Sequence, residues 1–293
     1  MSDYHSLQTK LEKRLSNGYS LLATYTWSHS LDDAPTPLGS TGDGGYRNTN
    51  LLPIENDYSN SPFDVRQRFT FNGYYDLPFG KGRSFMNHGG VLNALVGEWS
   101  TNLTFFAQTG NPFTVYPNNT GPSGGGTRAI LVGDPFKGGG TPNPTNPNVS
   151  CPAKVKTLQN WYNPCAFANP VSGTEISPGP YNGSYTTPQP GYLYPAQVTA
   201  KSQVLQLLGG KRNEIYGPGY ERINMSIFKQ FPTFRTQYLE FRADIFNVLN
   251  TPAYGIPSVT NINSNGGQIT SPRFFQNFTP DARFFQFAMK YQF

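Results

Sequence analysis

Residues His5–Trp27 read HSLQTKLEKRLSNGYSLLATYTW. In an extended chain successive side chains point to opposite sides, so Leu7, Thr9, Leu11 and Leu15 share one face. Gln8, Lys10, Glu12 and Arg14 share the other. Ser16-Asn17-Gly18 follows, and Asn-Gly accepts the positive φ angles of a two-residue hairpin turn. The chain returns as Tyr19, Leu21, Ala23, Tyr25 and Trp27 opposite Ser20, Thr24, Thr26 and Ser28. This period of two, held on both sides of a turn, specifies a hairpin of long strands with one greasy face and one wet face.

The same alternation recurs along the chain. Phe69, Phe71 and Tyr75 oppose Arg66, Arg68, Thr70 and Asn72, and Trp99, Thr101, Leu103, Phe105 and Ala107 oppose Ser100, Asn102, Thr104 and Gln108. Ile223, Met225 and Ile227 oppose Asn224 and Ser226; Leu239, Phe241, Ala243 and Ile245 oppose Glu240, Arg242 and Asp244. Within Asp281–Phe293, Phe285, Phe287, Met289, Tyr291 and Phe293 oppose Gln286, Ala288, Lys290 and Gln292. The result is about seven strands, longer than the roughly five or six residues usual in soluble sheets and close to the roughly 9–11 of a tilted membrane strand. Charges keep to the polar faces except Lys13, which sits beside a turn where an ammonium can snorkel to the interface.

Connections alternate in length. Residues 16–18 and 232–237 are short and 76–98 intermediate, whereas about 31–63, 110–220 and 251–280 are long. Outer-membrane barrels sort their loops this way, short toward the periplasm and long toward the exterior. The expected fold is therefore all-β: an antiparallel up-and-down meander forming a partial transmembrane β-barrel with long extracellular loops, spanning 1–293. Val91–Val96 and Val204–Leu208 read as short helical decorations, and the Pro-, Asn- and Gly-rich stretch 117–195 as a surface loop, partly disordered or simply packed, that also suits contact with ligands.

Composition agrees. The 293 residues include 31 Gly and 26 Pro, too many breakers for a helical protein, and 22 Phe and 18 Tyr, too much apolar surface for a disordered one. Only 13% of residues are charged, about half the usual share. The net charge of +5 is scattered, with Arg66/Arg68 and Lys211/Arg212 as the tight pairs, so no nucleic-acid partner is expected. No window is long and apolar enough for a membrane helix, which leaves a barrel open. The start MSDYHSLQTK lacks a signal peptide, so either the protein stays in the cytoplasm or the chain is truncated at its N-terminus. Cys151 and Cys165 are a candidate disulfide, closing a loop of about 15 residues for roughly 3 kcal/mol in an oxidising compartment; two free thiols are the alternative.

Catalytic signals are weak, and neither an enzyme nor a cofactor is expected. His5, His29 and His88 fit no metal spacing, and Gly121–Gly125 (GPSGG, with Ser123) lacks the strand-turn-helix context of a nucleophile elbow. Asp32, Asp33, Asp43 and Asp57 can be read as calcium ligands or, more simply, as solvated loop acids. Arg66, Arg68, Glu240, Arg242 and Asp244 are candidates for a lumen-facing cluster that touches a solute or pairs internally.

The end of the chain carries the sharpest local pattern. Gln286, Ala288, Tyr291 and Phe293 resemble the C-terminal signal by which the barrel assembly machinery recognises its substrates, with Ala288 where the pattern prefers Gly. Several segments, in order, resemble the C-terminal barrel of TonB-dependent outer-membrane transporters of the Oar-like type: DVRQRF (64–69), YDLPFGKGR (75–83), GEW (97–99), QTGNPF (108–113), RN (212–213), GPG (217–219), SIFK (226–229) and FRADIFNVLN (241–250). Stretch 120–200 carries no such resemblance.

The resemblance implies a wall and loop segment of an energy-coupled nutrient receptor in the bacterial outer membrane. Such receptors close about 22 strands around a plug, so seven strands are roughly the last third. It further implies that the plug and the rest of the barrel are missing partners. The TonB complex would be reached only through that plug, and the other partners are outer-membrane lipid, the assembly machinery and an unknown solute. Bare edges are expected at Tyr4–Leu15 and Asp281–Phe293. The competing expectation is a soluble, secreted all-β adhesion or carbohydrate-binding module, whose aromatic faces would be buried in a sandwich.

Overall fold

The computed structural model describes residues 1–33, 58–87, 89–118, 128–169, 210–234, 236–263, 265–273 and 282–293. Its main sheet contains the long strands β1 (Ser2–Ser16), β2 (Tyr19–Asp32), β4 (Gln67–Asp76), β5 (Ser100–Gln108), β10 (Tyr220–Pro232), β11 (Tyr238–Phe246) and β12 (Phe284–Gln292). The short β3 (Ser59–Asn60) joins β2, while β6 (Pro112–Phe113) pairs β9 (Ile215–Tyr216) and β7 (Ile130–Leu131) pairs β8 (Phe167–Ala168) outside it. The long strands follow the order β1-β2-β4-β5-β10-β11-β12, every pairing antiparallel. Among the described residues the sheet does not close: β1 pairs with β2 alone, and β12 with β11 alone.

Register turns the alternation into continuous rows. Leu11, Ala23, Phe71, Phe105 and Ile223 stand opposite one another across five strands, and Tyr19, Tyr75, Thr101, Ile227, Ala243 and Phe287 across six. One residue along, Ser20, Tyr74, Asn102, Ser226, Asp244 and Gln286 form a polar row on the opposite side. A slip of one residue would exchange the two faces, so hydrophobicity and register constrain each other.

Among the described residues no second layer covers the apolar face at the sheet's two edges: Leu11 is 64% and Phe287 68% exposed. A soluble sandwich would bury these side chains. Lys13, a charge on that face, donates to the Ser16 carbonyl (3.1 Å) and hydroxyl (2.7 Å), with its ammonium 3.5 Å from the centre of the Tyr19 ring. Asn17 and Gly18 turn the hairpin at φ of 53° and 79°, the left-handed values that Asn and Gly tolerate.

The strands exceed the sequence reading at several ends: β1 begins at Ser2 and β10 reaches Pro232, whereas β12 starts at Phe284. Val91–Val96 is a helix, α1. Lys229 Nζ caps its C-terminal carbonyls, reaching Asn93 O at 3.1 Å and Ala94 O at 2.8 Å, a stabilising placement for a cation at the negative end of a helix. Val204–Leu208 lies outside the described residues. The long-loop stretch is packed where it is described: the main cluster of buried apolar residues lies outside the long strands, with Ala129, Tyr162, Ala166 and Phe167 from 128–169 joined by Phe113, Val115, Ile215 and Ile262.

Placing a charge on either face tests the orientation of the wall. Phe105→Lys, on the apolar face, is expected to destabilise assembly in lipid vesicles by roughly 2–4 kcal/mol. Thr104→Lys, on the polar face, is expected to be nearly neutral. Denaturant titration of both variants measures the difference, and equal costs would contradict a lipid-facing apolar side.

Candidate functional site

The long-loop end of the sheet carries a compact cap built from 110–118, 128–169, 210–219 and 251–273. Its centre stacks Tyr162 between Phe113 (ring centres 6.0 Å apart) and Phe167 (5.6 Å, edge-on). The Tyr162 hydroxyl donates to Asn261 O at 3.0 Å, and burial pushes its pKa well above the ordinary tyrosine value. Cys151 and Cys165 are bonded, with Cα atoms 5.5 Å apart, tying two turns of this segment together.

Asparagine amides do much of the backbone pairing that sheet or helix would otherwise supply. Asn163 Nδ2 donates to Lys137 O and Gly139 O, both at 2.8 Å. Asn146 Nδ2 donates to Ile262 O (2.7 Å), and Asn169 Nδ2 to Thr145 O (2.9 Å). These bonds give the carbonyls of irregular, buried chain the partners that a ladder would otherwise supply.

A buried polar latch joins the cap to the rim of the wall. Arg212, nearly inaccessible, pairs with Asp32 at the end of β2. Asp64 accepts from the Ser30 amide (2.8 Å) and from the Tyr216 hydroxyl (2.7 Å). Asn60 and Asn213 exchange amide-to-carbonyl bonds at 2.7 and 3.0 Å, and Thr114 accepts from Asn213 N at 3.0 Å. Burial, followed by the bond to Asp64, raises the Tyr216 pKa.

The lumen candidates fall in separate places. On β11, Arg242 Nε pairs with Asp244 (2.8 and 3.0 Å), Asp244 also accepts from Ser226, and Glu240 accepts from Gln230 at 3.0 Å. Arg68 donates to Gln108 at 3.2 Å and lies over the Phe106 ring, with β5 and β10 between it and β11. Arg66 precedes β4 and lines a rim cleft near Tyr216 instead of joining the others. The polar face thus carries separate charged groups, each engaged by a neighbour: one ion pair on β11 and amide partners for Glu240 and Arg68.

Asp32 is engaged by Arg212, and Asp33 by the N-terminal ammonium at 2.5 Å; Asp43 and Asp57 lie outside the described residues. Ser123 and His88 also lie outside them, and His29 faces Asn60 at 2.9 Å. Among the described residues no group of three or more His, Cys, Asp or Glu side chains is placed to hold a metal ion. On β12, Gln286 stands opposite Asp244, Ala288 opposite Arg242 and Tyr291 opposite Leu239, while Phe293 ends the chain fully exposed. The latch and the asparagine scaffold are not legible in the sequence, although Asp32, Asp64 and the RN pair at 212–213 stand out there for other reasons.

Removing the Asp32 carboxylate takes an ion-pair acceptor away from a buried guanidinium. Asp32→Ala is expected to destabilise the cap by roughly 3–5 kcal/mol. Hydrogen exchange would show faster exchange in 128–169 and 210–216, with β4 and β5 unchanged. Uniform loss of protection would mean that cap and wall are one cooperative unit.

No curated protein matches the chain. A family model described as an outer membrane beta barrel domain matches residues 1–286, nearly the whole length. The alternating rows, the uncovered apolar edges and the one-sided loops are what that family requires, and the chain belongs to the outer membrane beta-barrel domain family, located in the bacterial outer membrane.

Proposed function

We propose that the chain forms wall and loops of a TonB-dependent receptor for energy-coupled nutrient uptake. The observation that carries this reading is the open sheet: seven long strands whose outer members each have one unpaired side. In hydrocarbon each unpaired backbone group costs several kcal/mol, so the sheet calls for further strands. β1 and β12 run in the same direction, because an odd number of antiparallel strands lies in sequence between short-turn and long-loop ends. An all-antiparallel closure therefore takes an odd number of additional strands, giving the even total usual in bacterial barrels. The segments from DVRQRF to FRADIFNVLN support the transporter class, and the paired charges on β11 suit a wet interior that a solute traverses.

In native outer membranes, a photo-reactive residue replacing Thr9 on β1 is expected to cross-link to a further barrel segment. Arg68→Cys, on the polar face, is expected to change its labelling by a membrane-impermeant thiol reagent when the inner-membrane proton gradient is collapsed. Steady passive ion conductance by the purified chain alone, with labelling indifferent to the gradient, would overturn energy coupling in favour of a simple pore.

A further inference from the structure

The cap overhangs the wall on its apolar side. Tyr25, Phe69, Ala107 and Glu221 stand opposite one another on β2, β4, β5 and β10, in a row two residues nearer the long-loop end than Ala23, Phe71, Phe105 and Ile223. That row floors a cleft of about 720 Å³, and Phe136, Lys156 and Trp161 of the cap line the same space. The back is nearly bare backbone: a Cβ on Gly110 would come within 1.9 Å of Gly217 O, so glycine is needed for the rim strands to approach.

We propose that this cleft binds a phosphate-bearing lipid of the surrounding leaflet. The floor is continuous with the lipid-facing wall, since Phe69 meets Phe105 one step deeper at a ring separation of 5.8 Å, which gives an acyl chain an unbroken apolar track. The Trp161 indole N–H is already donated to Tyr216 O at 2.8 Å, so the ring presents its apolar body, with Phe136 packed edge-on at 6.4 Å. Lys156 is exposed; its ammonium lies 4.9 Å from the centre of the Phe136 ring and has no carboxylate partner among the described residues. Arg66 and Lys156 against Glu221 leave the lining with one net positive charge, at the end of the strands where headgroups lie. A freely soluble ligand would have to approach through the bilayer side, whereas a lipid is already there. The proposal needs only a lipid-facing wall and is independent of energy coupling.

The test uses Trp161 as the reporter, in a Trp27→Phe/Trp99→Phe background, with the protein in phosphatidylcholine nanodiscs. Phosphatidylglycerol brominated on its acyl chains is expected to quench Trp161 more strongly than brominated phosphatidylcholine at equal content. Neutralising the Lys156 ammonium is expected to weaken that preference by about fivefold, the contribution of roughly one lysine near an anionic surface, and Lys156→Glu, which adds repulsion, is expected to weaken it further. Lys156→Gln, which keeps the stem over Phe136, reports the charge without the repulsion. Equal quenching by the two lipids, or a preference unchanged in both variants, would overturn the proposal. Reversal of quenching by inorganic phosphate would assign the site to a free anion and overturn it as well. Retention of the Cys151–Cys165 bond in each variant shows that the cap is intact.

Discussion

Hydrocarbon offers no partner for a backbone N–H or C=O, so each strand in a bilayer must find its partners in its neighbours. Among the described residues the long antiparallel ladders meet this demand between neighbouring strands and leave it unmet along the outer sides of β1 and β12. The same demand explains the side chains. With the backbone satisfied in the plane of the sheet, one face is free to be as apolar as lipid and the other as polar as water. Phe, Leu and Tyr therefore alternate with Asn, Thr and paired charges in register across the strands.

The cap obeys the opposite regime. It buries a small aromatic core around Tyr162, yet its chain is too rich in Pro, Gly and Asn to build long ladders. Its backbone groups are satisfied by amide side chains and short bridges, and a disulfide shortens the unfolded loop it competes with. The Arg212–Asp32 pair and the bonds around Asp64 then hold the cap to the rim. Wall and cap thus satisfy their backbones in different ways within one chain, the first by ladders and the second by amide side chains.

Legibility followed this division. The alternation through β1 and β2 needed only local spacing, and the turn at Asn17-Gly18 carried its own chemistry. The lumen candidates Arg242 and Asp244 could be assigned to a face for the same reason, being two apart on one strand. Arg66 could not, because it stands just before β4, where strand parity no longer governs direction. The low hydrophobicity of 117–195 suggested disorder as readily as packing, since an asparagine that bonds water and one that bonds a buried carbonyl look alike in sequence.

Sequence alone thus determined the membrane wall: period-two spacing, strand length and loop asymmetry are local properties, and a bilayer selects for them strand by strand. Tertiary structure alone decided which side the cap overhangs, which charges meet, and that Asp32 answers to an arginine 180 residues away. Those outcomes depend on closing long loops onto particular partners, and the energy of such contacts resides in geometry that neighbouring residues do not encode.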